Sequence, residues 1–573
     1  MSSQLSLVHG PKEPALWLDK TLCAVIDQQE SSFPDRTALI VPWESTRLTY
    51  RQLADRSRVV AKALLGAGLR HGDCIGIMDG NSYEYIEVFL GAARIGCPVV
   101  VLNNTYTPDE LRNAVYRSSC KIVFIAPNIG TRSLADHVEN LQATNGKNYE
   151  LSELQQVILF RADMPSANNM LDTYSNFLRK QRAASVDSEL AQAEAKLAPE
   201  DVLNLQFTSG TTGSPKAAML TNINIVNNAR FVGNAMRLTP SDVVCCGPPL
   251  FHCFGLVMGF LASFCYGASI IFPSDHFRAN CVVDALMAED ATVLLGVPTM
   301  FISELEILAK TGQKPRRLRT GLASGSAVSQ TLMNEIRARM GVDKMLIAYG
   351  MTETSPVNFI TSLDDPEDKR ISTIGRVMPH TLAKVVDKHG KILPRGHRGE
   401  LLVGGYALQK GYWKNEEKTR EVMKLDADGV LWMHTGDEVM IDEQGYGHIT
   451  GRIKDLIIRG GENIFPREIE DRLVAHSSIS ESSVVGIKDE RYGEVVGCFL
   501  KATPGCQRVL DKEIQLWVES TLGRHKAPQH VFWIGDAAVG NDFPKTGSGK
   551  HQKHLLRDTG NRLVAQQKPR ARL

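Results

Sequence analysis

The sequence predicts an α/β protein built in sections: βαβ subdomains, then a small β-rich subdomain, then a separate, smaller α+β C-terminal domain. Three observations predict it. Strand-like and helix-like stretches alternate over the first 126 residues and again from Val202 to about Asp364. From Thr373 to Thr450 short strands alternate with turn signals such as Pro394-Arg395-Gly396, Asp428-Gly429 and Gln444-Gly445. After Gly451-Arg452 a βαββαβ-like alternation resumes and continues almost to the end. The length, 573 residues, allows three or four domains or subdomains at about 100–200 residues each.

The elements follow in order. Thr37–Val41 reads as a strand, and Thr49 with Gln52 three residues later forms a capping box for a helix ending near Gly66 and Gly68. Cys74–Met78 is a second strand, Ser82 to Ile95 an amphipathic helix, and Pro98–Leu102 a third strand. Thr107-Pro108-Asp109-Glu110 combines a cap, a proline at the first helical position and a glutamate three residues after the cap. Lys121–Ala126 is the fourth strand. Strands separated by helices imply a mainly parallel sheet. Residues 130–200 are polar and weakly patterned, and read as a peripheral excursion. The closing residues 561–573 form a basic, polar tail.

Composition narrows the function classes. Lys+Arg is 65 and Asp+Glu 64, so the formal net charge is +1. A chain with no basic excess has little to neutralise a run of phosphates, which argues against nucleic acid as the main partner. Hydrophobic residues at 43% and charged residues at 23% are ordinary for a folded soluble chain. Eleven cysteines without CxxC pairs or metal-like spacing read as reduced thiols. No secretory signal is visible at the N-terminus. Phe254 to Phe272 carries no formal charge, but its glycines, serines and Tyr266 favour a buried helix and strand over a membrane span.

The strongest local signal is the strand Leu203–Phe207 followed by Thr208, Ser209, Gly210, Thr211, Thr212, Gly213, Ser214, Pro215 and Lys216. Glycines let the backbone turn N–H groups toward an anion, hydroxyls add donors, and Lys216 adds a compact charge. This pattern suits a polyphosphate, although GxxxxGK[ST] spacing is absent; an exposed Ser/Gly/Thr linker is the plain alternative. Tyr349-Gly350-Met351-Thr352-Glu353-Thr354 offers an aromatic face, a hydroxyl, and a carboxylate able to hold a hard cation such as Mg²⁺. His434-Thr435-Gly436-Asp437 and Thr450-Gly451-Arg452 bracket a hairpin, the acid suiting ribose hydroxyls and the arginine phosphate. Pro544-Lys545-Thr546-Gly547-Ser548-Gly549-Lys550 is a loop bearing two lysines. Singly, Glu353, Asp437 and Lys550 also read as a helix-end charge, a turn residue and a solvated lysine.

The succession TSGTTGSPK, YGMTE, TGD, GRIKD and KTGSGK resembles the adenylate-forming (AMP-binding) superfamily, over about residues 30 to 556. The chain looks most like its acyl-CoA synthetase branch. The resemblance implies an AMP-binding N-terminal domain over residues 1–452 and a mobile C-terminal domain over residues 453–560. It implies two steps: a carboxylate attacks the α-phosphorus of MgATP, releasing pyrophosphate, and the thiol of coenzyme A then displaces AMP. Thr208–Lys216 would hold the β- and γ-phosphates and Glu353 the Mg²⁺. Tyr349 would pack on adenine with Ser324-Gly325-Ser326 on its other face, and Thr352 would lie in the same nucleotide site. Asp437 would accept from the ribose hydroxyls and Arg452 would contact ribose and phosphate. Lys550 would serve the first step, His252 would lie at the acyl end, and Lys454 would be the hinge. Rotation there would withdraw Lys550 and bring Gly460, Gly461 and Glu462 to the pantetheine tunnel.

The same comparison bears on substrate and place. Relatives that activate amino acids carry an aspartate just after the phenylalanine where this chain has Phe251-His252, and acetate-specific relatives place a tryptophan where this chain has Gly350-Met351. A medium, branched or aromatic carboxylic acid is therefore expected. Gly451–Glu470 shows no room for the insertion of carrier-protein-acylating relatives, so coenzyme A is the expected acceptor, with a carrier protein or a catalytically dead scaffold as alternatives. The terminus Ala571-Arg572-Leu573 resembles a peroxisomal address, which implies an import receptor as partner, with a cytoplasmic location as the alternative.

Overall fold

The computed structural model describes residues 4–143, 149–161, 171–182, 187–208, 215–325, 328, 330–460, 462–546 and 549–567. The chain packs as two compact units: Val8–Ala383 with Val403–Met433, and Met1–Leu7 with Lys384–Leu402 and His434–Leu573. The expected division after residue 452 follows the motif order, whereas packing groups 384–402 and 434–452 with the C-terminal section. One reason is local. Within the smaller unit residues 437–441 pair antiparallel with Gly447–Arg452, from Asp437 opposite Arg452 to Ile441 opposite Gly447.

The larger unit carries two sheets. A seven-stranded sheet runs in the order Leu171–Thr173, Gln156–Leu159, Cys120–Ile125, Cys74–Met78, Val99–Val101, Val202–Thr208, Lys216–Thr221. Its neighbours are parallel except the last pair, which is antiparallel. A nine-stranded sheet has six parallel strands at its centre, Lys344–Gly350, Thr320–Ala323, Val293–Gly296, Val243–Cys246, Ser269–Ile271 and Thr37–Val41. Parallel strands covered by helices should read as continuous apolar runs, and Ile75, Ile77, Val99, Val244 and Leu295 are wholly buried in one cluster shared by both sheets.

Local chemistry produced the expected elements. The helix Tyr50–Gly66 opens on the capping box of Thr49 and Gln52, and Pro108–Ser118 on that of Thr107 and Glu110. Each box satisfies two backbone donors that the first turn leaves open. The segment from Phe254 onward forms the helical stretches Phe254–Leu261 and Ala262–Cys265 and the strand Ser269–Ile271. Among the described residues no helix is long and apolar enough to cross a membrane.

Residues 130–200 are less peripheral than their polarity suggests. Gln156–Leu159 and Leu171–Thr173 extend the seven-stranded sheet, and Phe160 stacks on Phe124 at 5.7 Å. The fully buried Arg94 binds Asp27 at 2.8 Å and Glu194 at 2.6 Å, which anchors the charged helix Asp187–Glu194. A buried arginine requires such partners, and periodicity does not reveal them.

The smaller unit has a five-stranded sheet. Glu462–Ile464, Ile457–Arg459, Gly493–Ala502 and Ile479–Asp489 follow one another, and His530–Trp533 pairs parallel to Gly493–Ala502. The helices Pro466–Val474, Asp511–Leu522 and Lys553–Gln567 complete the expected α+β section.

Candidate active site

In the larger unit the strand Val202–Thr208 leads into the predicted phosphate cradle, and Lys216–Thr221 leads out of it. Thr208 lies opposite Lys216 in the antiparallel register, and its hydroxyl donates to the Lys216 carbonyl at 3.4 Å. Ser209, Gly210, Thr211, Thr212, Gly213 and Ser214 lie outside the described residues. The Arg117 guanidinium donates to the Pro215 carbonyl at 3.4 Å. A cavity of about 90 Å³ beside Pro215 and Lys216 is bordered by Arg117 and Lys414, so cations gather where an anion is expected.

Glu353 lies in a single 3₁₀ turn, Thr352–Thr354, just beyond the strand Lys344–Gly350. A Cβ on Gly350 would meet the Pro356 carbonyl oxygen at 1.8 Å, so no other residue fits there. The Met351 N–H donates to that same carbonyl at 3.0 Å, closing the turn. Glu353 is 7% exposed; its Oε1 accepts from the Tyr412 hydroxyl at 2.9 Å and its carbonyl from the Gln409 N–H at 2.9 Å. Desolvation and the adjacent Glu353 push the Tyr412 phenol well above its usual range, so it remains a donor. One carboxylate oxygen is engaged and the other is left as a hard donor. Among the described residues no group of three or more His, Cys, Asp or Glu side chains could hold a metal. A single carboxylate nevertheless fits Mg²⁺, which keeps waters and substrate phosphates as its other ligands.

Ser324 and Gly325 follow the strand Thr320–Ala323, which runs parallel to Lys344–Gly350 with Ala323 opposite Ile347. The Ser324 hydroxyl donates to the Ala348 carbonyl at 2.9 Å, which sets this turn beside Tyr349. Gly325 has φ +89°, a conformation that side chains resist. Ser326 lies outside the described residues. The Tyr349 ring meets Phe359 edge-on at 6.1 Å.

His252 stands in a turn held by two buried amides. Asn81 accepts from the Leu250 N–H at 2.8 Å and donates to the Pro248 carbonyl at 3.2 Å. Gln206 donates to the Phe251 carbonyl at 3.0 Å and accepts from the Cys253 thiol at 2.8 Å. The Phe254 N–H donates to His252 Nδ1 at 3.1 Å, so a neutral ring carries its proton on Nε2. Asn81, Gln206 and Tyr412 were not singled out from the sequence. Gln206 had a signal: it is a polar residue at a buried strand position two residues before Thr208. Asn81 and Tyr412 had none.

The smaller unit holds the remaining candidates. Asp437 and Arg452 face each other across the hairpin and form an ion pair at 3.3 Å, so the two groups expected to serve ribose and phosphate separately also hold one another. Lys454 is exposed in the turn Ile453–Asp455. It borders a groove of about 820 Å³ with Lys488 and Arg557. Gly460 has φ +59° and donates to the Tyr492 carbonyl at 2.7 Å; Gly461 lies outside the described residues. Glu462 is exposed, opposite Arg459 in a short hairpin. The Lys550 N–H donates to the Thr546 hydroxyl at 3.1 Å and its carbonyl accepts from the Thr546 N–H at 2.7 Å.

Residues 26–413 match the family described as AMP-binding enzyme, and residues 468–550 its AMP-binding enzyme C-terminal domain. An acyl-CoA ligase, sidI, of Beauveria bassiana is 45% identical over 577 residues, covering 100% of this chain and 97% of that protein. A mitochondrial medium-chain acyl-CoA ligase, ACSF2, of Danio rerio is 36% identical over 570 residues, covering 96% of this chain and 90% of that one. The anthranilate CoA ligase AuaEII in complex with anthranoyl-AMP shares the fold at a TM-score of 0.83 and 23% identity, over 96% of this chain and 99% of that one. The chain belongs to the AMP-binding enzyme family, in its acyl-CoA ligase branch.

Proposed function

We propose that this ATP-dependent acyl-CoA ligase activates a medium-length, branched or aromatic carboxylic acid. The observation that carries the proposal is the pair Phe251-His252 and Gly350-Met351 at the acyl end. An α-ammonium group would need a buried carboxylate partner, and the position after Phe251 offers an imidazole instead. Gly350-Met351 holds no tryptophan of the kind that shortens the acyl pocket in acetate-specific relatives. The likeness to a ligase named for medium-chain acids points the same way.

The reaction proceeds through an acyl-adenylate. A carboxylate oxygen of the acid bonds to the α-phosphorus and pyrophosphate leaves; the thiol sulfur of coenzyme A then bonds to the acyl carbon and AMP leaves. The acid is a weak nucleophile facing about four negative charges, so neutralisation and positioning dominate. In the proposed assignment Thr208 to Lys216 hold the β- and γ-phosphates, and Tyr349 with Ser324 and Gly325 hold adenine. Asp437 and Arg452 take the ribose, and Lys550 faces the charge that develops at the α-phosphate. Glu353 would hold Mg²⁺, which supplies charge neutralisation at the phosphates. Rotation at Lys454 exchanges Lys550 for the loop of Gly460 and Glu462 before the thiol attacks. Peroxisomal delivery through Ala571-Arg572-Leu573 and an import receptor belongs to the same proposal.

The test is acid-dependent pyrophosphate release across a panel running from acetate to aryl and medium-chain acids, followed by thioester detection with coenzyme A. Highest kcat/KM is expected for medium, branched or aromatic acids. Preference for acetate or for an amino acid overturns the substrate assignment.

A further inference from the structure

We propose that Tyr412 is a positioning residue that keeps the lysine and the carboxylate of the nucleotide site apart and aimed at their ligand. The inference rests on the reading of Glu353 as the Mg²⁺ ligand. One side chain serves both charged groups: the Tyr412 hydroxyl donates to Glu353 Oε1 at 2.9 Å, and Lys216 Nζ lies 4.9 Å from the centre of the Tyr412 ring. A carboxylate and an ammonium left free to meet at this depth would pair with each other. Neither Glu353 nor Lys216 forms an ion pair among the described residues. The ring face satisfies the ammonium without cancelling its charge, and the phenol occupies one carboxylate oxygen while leaving the other.

Tyr412 is itself held rigidly, as a positioning group must be. It is 4% exposed, and the backbone on both sides is zipped to the strand Lys216–Thr221. Lys410 donates to the Met219 carbonyl at 2.9 Å, Met219 to the Gly411 carbonyl at 2.9 Å, and Trp413 to the Ala217 carbonyl at 2.8 Å. The Tyr412 N–H donates to the Thr419 hydroxyl at 2.9 Å. The Gln409 N–H on the same segment reaches the Glu353 carbonyl at 2.9 Å. The segment therefore ties the strand that leaves the phosphate loop to the turn that carries Glu353.

The experiment measures Mn²⁺ binding to the full-length enzyme–ATP complex by electron paramagnetic resonance, and metal-free ATP binding by calorimetry. Tyr412→Phe keeps the ring and its packing and removes the hydroxyl. It is expected to weaken Mn²⁺ binding by about tenfold, as loss of a hydrogen bond to a charged group should, with metal-free ATP binding unchanged. Tyr412→Leu should in addition weaken metal-free ATP binding, because Lys216 loses its platform. Glu353→Gln is the control. If Glu353→Gln weakens Mn²⁺ binding but Tyr412→Phe does not, or lowers only the melting temperature, the positioning role is overturned. If Glu353→Gln binds Mn²⁺ like the unaltered enzyme, the metal reading of Glu353 fails, and this inference with it.

Discussion

Gln206 donates its side-chain amide to the Phe251 carbonyl at 3.0 Å, so the strand entering the phosphate loop also holds the turn that presents His252. In the proposed assignment, phosphate binding and acid binding are thereby mounted on one strand. Gln206→Leu should cost about 1–3 kcal/mol of stability, because a buried carbonyl loses its partner. It should also lower kcat for the acid roughly tenfold or more by loosening the placement of the acyl end. Metal-free ATP binding, which in the proposed assignment rests on Lys216 and the run beyond Thr208, should hold. Steady-state kinetics with a melting curve checks both halves; unchanged kcat removes the mounting role.

Lys216 and Lys550 should separate by half-reaction. Lys216→Ala is expected to raise the KM for MgATP, whereas Lys550→Ala should slow adenylate formation by about 10²–10³. The Lys550 variant should still convert a supplied acyl-adenylate and coenzyme A to thioester at a normal rate. Single-turnover assays of each half-reaction read this directly. Equal slowing of both halves contradicts the rotation at Lys454.

Glu304 supplies a pH test. It is wholly buried, neither carboxylate oxygen has a hydrogen-bond partner among the described residues, and desolvation pushes its pKa up to about 8. The unfolded chain gives up this proton near the ordinary glutamate value, so the folded state binds more protons between there and about 8. The stability it confers is complete below the unfolded value and is lost as pH rises through the folded one. Glu304→Gln, which cannot ionise, should gain melting temperature over the unaltered protein as pH rises from 5 to about 8, with no further gain above. A constant difference across that range refutes the assignment.

Much of this was legible in the sequence because it is local. Capping at Thr49 and Thr107 and the strands Thr37–Val41 and Cys74–Met78 depend on a few neighbouring residues, and they formed as expected. The runs beginning at Thr208 and at Tyr349-Gly350 were legible because each is a short run ending a strand. Tyr412, Asn81 and Gln206 act on residues 59, 169 and 45 positions away, and no periodicity encodes such pairs. Arg94 is the same case, with partners 67 and 100 residues distant.

Deleting Ala571-Arg572-Leu573 should leave catalysis intact and move the protein from peroxisomes to the cytosol. The tripeptide lies beyond Lys550 in the sequence, apart from the proposed catalytic residues, and a receptor-read address must be free. Imaging an N-terminally labelled chain with and without the tripeptide decides it. The same distribution for both removes the tripeptide from the proposal.

The antiparallel pairing of Val202–Thr208 with Lys216–Thr221 has a consequence for how the phosphate loop gathers charge. The loop joins two neighbouring strands, and the next helix, Asn222–Ala235, begins after the whole of the second strand. Six strand residues at about 3.3 Å each put that helix roughly 20 Å from Lys216. A helix dipole acts within its first turn, so it contributes nothing here. In P-loop proteins the cradle opens directly onto a helix N-terminus, which supplies a standing partial positive charge. In the proposed assignment the attraction for a triphosphate comes without the field of that helix, from the run Thr208–Lys216 with Arg117 and Lys414 beside Lys216. A helix-mounted cradle loses one of two sources of positive potential when its lysine is neutralised. This one loses the only formal charge in the run Thr208–Lys216 and keeps the neighbouring Arg117 and Lys414.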